Sequence, residues 1–247
     1  MKVVAVIPAR LRSTRFAGKV LAKDTGKFLI QHTYERACMA KLPEKVIIAA
    51  DDEKVVAAAK TFGAECVLTS PDHQSGTDRI AEALAGVDVE IVVNLQGDEP
   101  EIDPDNIDYL TKILMDNPDC PMATLAAEFQ TVQQVSDPNI VKVIIGRNSK
   151  AIYFSRSPIP YDREKAGVGD VRQYLRHIGI YAYRKKFLLE ITALPQTPLE
   201  KIEKLEQLRV IENGYSILVG KVKHTCDGID TPEQYAEFVK RYKQQKL

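Results

Sequence analysis

The sequence predicts an α/β fold, a doubly wound and mostly parallel sheet that carries a β-rich insertion. Three observations predict it. Apolar runs such as Val3-Val4-Ala5-Val6-Ile7 and Ile91-Val92-Val93 are continuous rather than alternating, as expected of strands covered by helices on both faces. Strand-like and helical stretches take turns from Val3 to Leu95, and that order implies parallel strands joined by right-handed crossovers. The chain has 247 residues, 45% of them hydrophobic, which suits one large domain with a substantial core.

In order, Val3 to Ile7 reads as the first strand, ended by Pro8. Leu29 to Ala40 has helical spacing through Leu29, Ile30, Thr33, Ala37 and Cys38, and Lys45 to Ala50 is the next strand. Asp51-Asp52 begins a helix to about Phe62, stopped by Gly63. Ala64 to Thr69 is a third strand and Gly76 to Leu84 a helix. Ile91 to Leu95 is a fourth strand, running into Gln96-Gly97-Asp98-Glu99-Pro100.

From Met122 the pattern changes. Strands are expected at Ala123 to Phe129, Val141 to Ile145, Ala151 to Arg156 and Ile178 to Tyr183, with long helices scarce until Pro198. This gives one domain over 1–247, with a β-rich insertion at about 122–190 that carries part of the substrate site. Ser157 to Arg172, with Pro158, Pro160, Gly167 and Gly169, is a loop long enough to suggest function. Pro198 to Asn213 reads as one amphipathic helix stopped by Gly214, and Ser216 to Val222 as a strand. Thr231 to about Gln244 is the last helix, with Asp230-Thr231-Pro232 as its start signal.

The 34 basic and 34 acidic side chains cancel, which argues against a general nucleic-acid binder. The cysteines Cys38, Cys66, Cys120 and Cys226 form no C-x-x-C pair, so a reduced cytoplasmic setting fits best. No run approaches the ~20 apolar residues of a membrane span.

Ligands in doubly wound sheets sit beyond the carboxyl ends of the strands, so the loops after the first and fourth strands matter most. The first, from Arg10 to Lys19, holds Arg10, Arg12, Arg15 and Lys19 and no acid. Such crowding suits a polyphosphate, although a solvated basic loop gives the same pattern. It is neither a Walker A loop nor a G-x-G-x-x-G turn. After the fourth strand, Asp98 can hold Mg²⁺, which binds through one or two carboxylates with phosphate oxygens and water. Asp230, read from spacing, is an ordinary helix cap. Among the histidines, His32 reads as helical surface, His73 sits in a loop and His224 has no evident partner. His177, beside Arg176, is the suggestive one. Ser13 and Ser75 lack a hydrolase elbow. Lys240, Arg241, Lys243 and Lys246 read as a solvated tail.

The motifs PAR-x-x-STR-x-x-GK-x-L, HQSGTDR, NLQGDEP, YFSR, RHIGIYAY, IEKLEQLR and GIDTPE occur in order from Pro8 to Glu233. Together they closely resemble the 3-deoxy-manno-octulosonate (Kdo) cytidylyltransferase family over nearly the whole chain. The resemblance implies a nucleotide-diphospho-sugar transferase-like, Rossmann-like fold. It also implies a reaction in which CTP and Kdo give CMP-Kdo and pyrophosphate with Mg²⁺, for lipopolysaccharide biosynthesis, without a covalent enzyme intermediate. Such a reaction rests on in-line positioning and charge neutralisation.

By resemblance, Arg10, Ser13, Arg15 and Lys19 bind the triphosphate, and Asp98 and Asp230 hold the metal. Arg10, Arg15, Lys19 and Asp98 are the expected catalytic residues. Ser75, Gly76, Asp78 and Arg79 match the segment near the cytosine. Gln96, Arg156, His177, Tyr181, Glu206, Gln207 and Arg209 match the sugar site, with Arg156 expected to fork onto the Kdo carboxylate. For Glu206, Gln207 and Arg209 the alternative is a helix surface with ordinary ion pairs. A homodimer formed through the insertion is also implied.

One departure is Phe16-Ala17-Gly18-Lys19, where the family usually has Leu-Pro-Gly-Lys; losing the proline loosens the loop backbone. Rival readings are activation of 8-amino-Kdo or another nonulosonic acid, and a non-catalytic nucleotide-binding module. His73-Gln74-Ser75-Gly76-Thr77 and Asp98-Glu99-Pro100 favour Kdo over its 8-amino analogue.

Overall fold

The apolar run that opens the chain forms β1 (Val3–Ala9), buried along almost its whole length. The computed structural model describes residues 1–12, 16–223, 225 and 227–244. The chain divides into two compact units, residues 1–108 with 226–247, and residues 109–225. The second is wider than the expected insertion at about 122–190.

In the first unit, β2 (Lys45–Ala50) and β4 (Ile91–Asn94) flank β1, and β3 (Glu65–Leu68) lies outside β2. Every one of these pairings is parallel. α1 (Leu29–Ala37), α2 (Glu53–Thr61) and α3 (Gly76–Ala83) are the crossovers. Pro8 does not end β1 as expected. Val6 O accepts Leu95 N–H on the β4 side while Ala9 O accepts Asp51 N–H on the β2 side, so the missing proton of Pro8 would face β4. That ladder has already stopped at Val6 and Asn94. Proline is tolerated where a strand has become an edge.

α9 (Pro232–Gln244) packs onto this unit through Tyr235 and Phe238, which form one cluster with Leu29 and Ile229. His32, expected on a helix surface, is instead 6% exposed. Its ring meets Phe238 and Tyr242 edge-on at 5.1 and 4.7 Å, and its Nε2 lies 2.7 Å from Thr25 Oγ1. It fastens α1 to α9. Arg241, expected in a solvated tail, pairs with Glu101 at 2.6 Å.

In the second unit, β5 (Met122–Glu128) lies between β8 (Leu175–Arg184), antiparallel, and β9 (Ile217–Lys221), parallel. β6 (Lys142–Ile145) and β7 (Ala151–Ser155) form an antiparallel pair joined to β8 at Lys142 and Arg176.

Several helices escape the sequence reading. α4 (Pro104–Met115) follows an Asp103-Pro104 start, with Asp103 Oδ1 accepting Asp105 N–H at 3.1 Å. α5 (Val132–Ser136) is short, and α6 (Lys185–Ala193) interrupts the stretch where long helices were expected to be scarce. The single helix expected from Pro198 to Asn213 is two, α7 (Pro198–Glu203) and α8 (Gln207–Glu212), broken at Lys204 with φ +54°. Arg209 holds buried Glu200 through Nε and Nη2 at 2.8 and 2.6 Å, across nine positions. At about 3.6 residues per turn those positions face opposite sides of a straight helix, so the ion pair requires the break.

Candidate active site

Because β1, β2 and β4 run parallel, their carboxyl ends deliver the Arg10 loop, Asp51 and Gln96-Gly97-Asp98 to one edge of the sheet. Glycine at 97 suits the close approach there, since a Cβ would crowd Pro8 O at 3.1 Å and Ile30 Cδ1 at 3.2 Å. Lys19 Nζ lies 2.5 Å from Asp98 Oδ2, 2.9 Å from the Ile229 carbonyl and 3.2 Å from Asp230 Oδ1. Its side chain is only 11% exposed.

Asp230 reaches this place because Ile229 N–H bonds the Asp98 carbonyl at 2.8 Å. The cap it was expected to provide comes from Thr231, whose Oγ1 accepts Gln234 N–H at 3.3 Å. Gln234 Oε1 in return accepts the N–H groups of Asp230 and Thr231 at 2.7 and 3.1 Å. Two carboxylates facing one ammonium leave a negative charge over. The donor set therefore fits a divalent cation sharing the site with phosphate oxygens.

Beside it, Asp51 Oδ1 accepts Leu11 N–H at 2.8 Å and pins the start of the basic loop. Arg10 is exposed, while Ser13 and Arg15 lie outside the described residues, as do Thr14, His224, Cys226 and Lys246. Ser75 and Asp78 form a capping box on α3, at 3.0 and 3.1 Å. A Cβ on Gly76 would stand 3.2 Å from Pro8 Cγ, so glycine lets the start of α3 close on the end of β1. Arg79 is fully buried. Its Nη1 donates to Thr69 Oγ1 at 2.5 Å and Ser70 O at 3.1 Å, and Nη2 stands 4.0 Å from Asp51. Its Nε and Nη2 find no hydrogen-bond partner. Burial pushes the guanidinium below its usual range, partly offset by Asp51.

Gln96 sits in the turn after β4, its carbonyl accepting Glu99 N–H at 3.2 Å. The other expected sugar-site residues belong to the second unit. His177 Nε2 is 2.9 Å from Thr124 Oγ1, and its ring meets Phe154 edge-on at 5.0 Å and Tyr181 at a tilt at 5.5 Å. Burial pushes its pKa down to about 3, so the imidazole is neutral in ordinary buffers. Arg156 donates through Nε to Glu203 O at 2.7 Å, through Nη1 to Pro138 O at 3.0 Å and through Nη2 to Lys204 O at 3.5 Å. This uses three of five donors and gives no support of its own to a carboxylate-binding role. Glu206 and Gln207 stand at the start of α8. Arg209 is 7% exposed and committed to Glu200, Ile191 O and Leu194 O, so the alternative of an ion pair describes its contacts, though in the core rather than on a surface.

Sequence reasoning passed over Asp51, Thr124 and Glu203, whose carboxylate accepts Ser155 Oγ and Arg156 N–H at 2.7 and 2.9 Å. Asp51 stands at a strand's carboxyl end, the rule that found Asp98. Thr124 is a hydroxyl inside an apolar strand, also a usable signal. No described cysteine competes for a catalytic role. Cys38, Cys66 and Cys120 are free thiols, and burial pushes Cys66 up to about 11, away from the reactive thiolate.

A family model described as Cytidylyltransferase matches residues 4–217. A 3-deoxy-manno-octulosonate cytidylyltransferase from Solibacter usitatus is 47% identical over 242 residues, covering 98% of this chain and 95% of that one. The chain belongs to the 3-deoxy-manno-octulosonate cytidylyltransferase family. A relative of the same name from Rhodopirellula baltica is 46% identical, over 99% of this chain and 100% of its own. The solved structure of a CMP:2-keto-3-deoxy-manno-octonic acid synthetase complexed with CTP superposes with a TM-score of 0.92 at 41% identity, covering 99% of this chain and 100% of that one. The 4-diphosphocytidyl-2C-methyl-D-erythritol synthase of Anaerococcus prevotii shares the fold alone, with a TM-score of 0.61 at 15% identity and 98% of each chain covered.

Proposed function

We propose that this cytidylyltransferase moves CMP from CTP to the anomeric hydroxyl of Kdo and releases pyrophosphate. The observation that carries the reading is the meeting of Lys19, Asp98 and Asp230 at the carboxyl edge of the parallel sheet. In-line attack on the α-phosphorus needs positioned charge more than a nucleophilic side chain. Asp98 and Asp230 would hold Mg²⁺, which supplies charge neutralisation at the phosphates and a lowered pKa for the attacking hydroxyl.

Lys19 and Arg10, with Arg15 and Ser13 from the sequence, bind the triphosphate and stabilise charge on the departing pyrophosphate. Ser75 and Asp78 hold the start of α3 against β1, and buried Arg79 braces the segment before it through Thr69 and Ser70. Gln96, His177, Tyr181, Glu206 and Gln207 read the sugar. In this reading Arg209 positions α8 rather than touching Kdo, and Arg156 meets the carboxylate only through its remaining protons. A homodimer in the cytoplasm belongs to the same proposal.

Product analysis with CTP, Mg²⁺ and either Kdo, 8-amino-Kdo or sialic acid tests it. CMP-Kdo as the main product supports the reading. A CMP-sugar from another acid alone replaces the substrate, and CTP binding without pyrophosphate release leaves a non-catalytic module.

A further inference from the structure

The β5–β8 ladder slips between Thr124 and Leu125. Thr124 stands opposite Tyr181, while Leu125 stands opposite Ile178, leaving Gly179 and Ile180 outside the pairing. A slip of this kind frees backbone carbonyls that must find donors. Thr124, fully buried, supplies one: its Oγ1 lies 3.1 Å from Ile178 O and 2.8 Å from Ile180 O. The same oxygen is 2.9 Å from His177 Nε2.

A hydroxyl has one proton, and carbonyl oxygens only accept. Were that proton given to His177, the threonine oxygen would face two carbonyl lone pairs with nothing between them. Directed to the carbonyls, it leaves the third contact to be made by a proton on Nε2. In a neutral imidazole the other nitrogen is then a bare acceptor.

We infer that Thr124 is a positioning residue that fixes His177 as the Nε2–H tautomer, so that Nδ1 accepts a hydrogen bond from a hydroxyl of the sugar. This rests on the sugar-site reading above. The ring is held for the task by Phe154 edge-on at 5.0 Å and 79°, and the main chain that carries it is fixed by the His177 backbone N–H, which donates to Val141 O at 2.8 Å. Burial suppresses the imidazolium form that would donate from both nitrogens. Such a residue discriminates for a hydroxyl and against a carboxylate, because two acceptors repel.

The test is ¹⁵N NMR of the full chain labelled at histidine, with His177 assigned by its loss in His177→Asn. The expected spectrum has Nε2 protonated and Nδ1 bare, and added Kdo shifts the Nδ1 signal while Nε2 keeps its proton. In Thr124→Val the KM for Kdo should rise about 10-fold while that for CTP stays within about 2-fold, and Thr124→Ser should restore most of the loss. An Nδ1–H tautomer in the wild type, a Nδ1 signal indifferent to Kdo, or equal effects of Thr124→Val on both substrates would overturn the inference. If Thr124→Val fails to fold, the wild-type spectrum and Thr124→Ser still decide. If the chain forms no CMP-Kdo the activity reading falls, while the nitrogen shifts report the tautomer independently.

Discussion

At the scale of single residues, the proposed chemistry depends on charge placed where a triphosphate develops more of it. Asp98→Asn keeps the shape of the side chain and removes its charge; pyrophosphate release should fall on the order of 100-fold or more, with the thermal midpoint little changed. In Lys19→Met, Asp98 and Asp230 lose the ammonium between them. Added MgCl₂ should then raise the melting temperature by more than it does in the wild type, as calorimetry would show. His177 carries a pH signature. Its folded pKa of about 3 lies below the ordinary value because burial disfavours the charged ring, so its contribution is present above about pH 6.5 and is lost as the pH falls. At pH 5 that loss is about 2 kcal/mol, and denaturant titrations of His177→Gln should show it removed. Lys19, Asp98 and Asp230 were legible in the sequence as motif residues, but their meeting was not. It depends on the Ile229 to Asp98 backbone bond, between residues 131 positions apart in number and joined only by the fold.

At the scale of elements, periodicity found the strands of both units because burial writes apolar runs into them. It failed where one long-range pair overrode local spacing. Pro198 to Asn213 has helical spacing throughout, yet the Glu200–Arg209 pair demands the break at Lys204. Arg209→Met should therefore cost about 3–5 kcal/mol in chemical denaturation, because it leaves Glu200 buried without its cation. A loss under about 1 kcal/mol would show that the pair is dispensable. The cap of α9 teaches the same lesson in reverse. Asp, Thr and Gln all stand near its start, and only the structure shows that Thr231 and Gln234 cap it while Asp230 turns to Lys19.

At the scale of the whole molecule, zero net charge conceals local imbalance. The basic loop and the acidic stretch after β4 meet through Lys19 and Asp98. Other acids of that stretch serve the fold: Glu101 pairs with Arg241, and Asp108 accepts the N–H groups of Lys41 and Leu42. The charges were legible as runs; which of them do chemistry was not, because capping and catalysis use the same carboxylates. We propose that the sheet edge holding Lys19, Asp98 and Asp230 activates CTP for attack by Kdo. The most direct test is pyrophosphate release by the purified protein with CTP and Mg²⁺, with and without Kdo. Release that requires Kdo and matches CMP-Kdo formed mole for mole is the predicted result, whereas CTP bound without any release would contradict it.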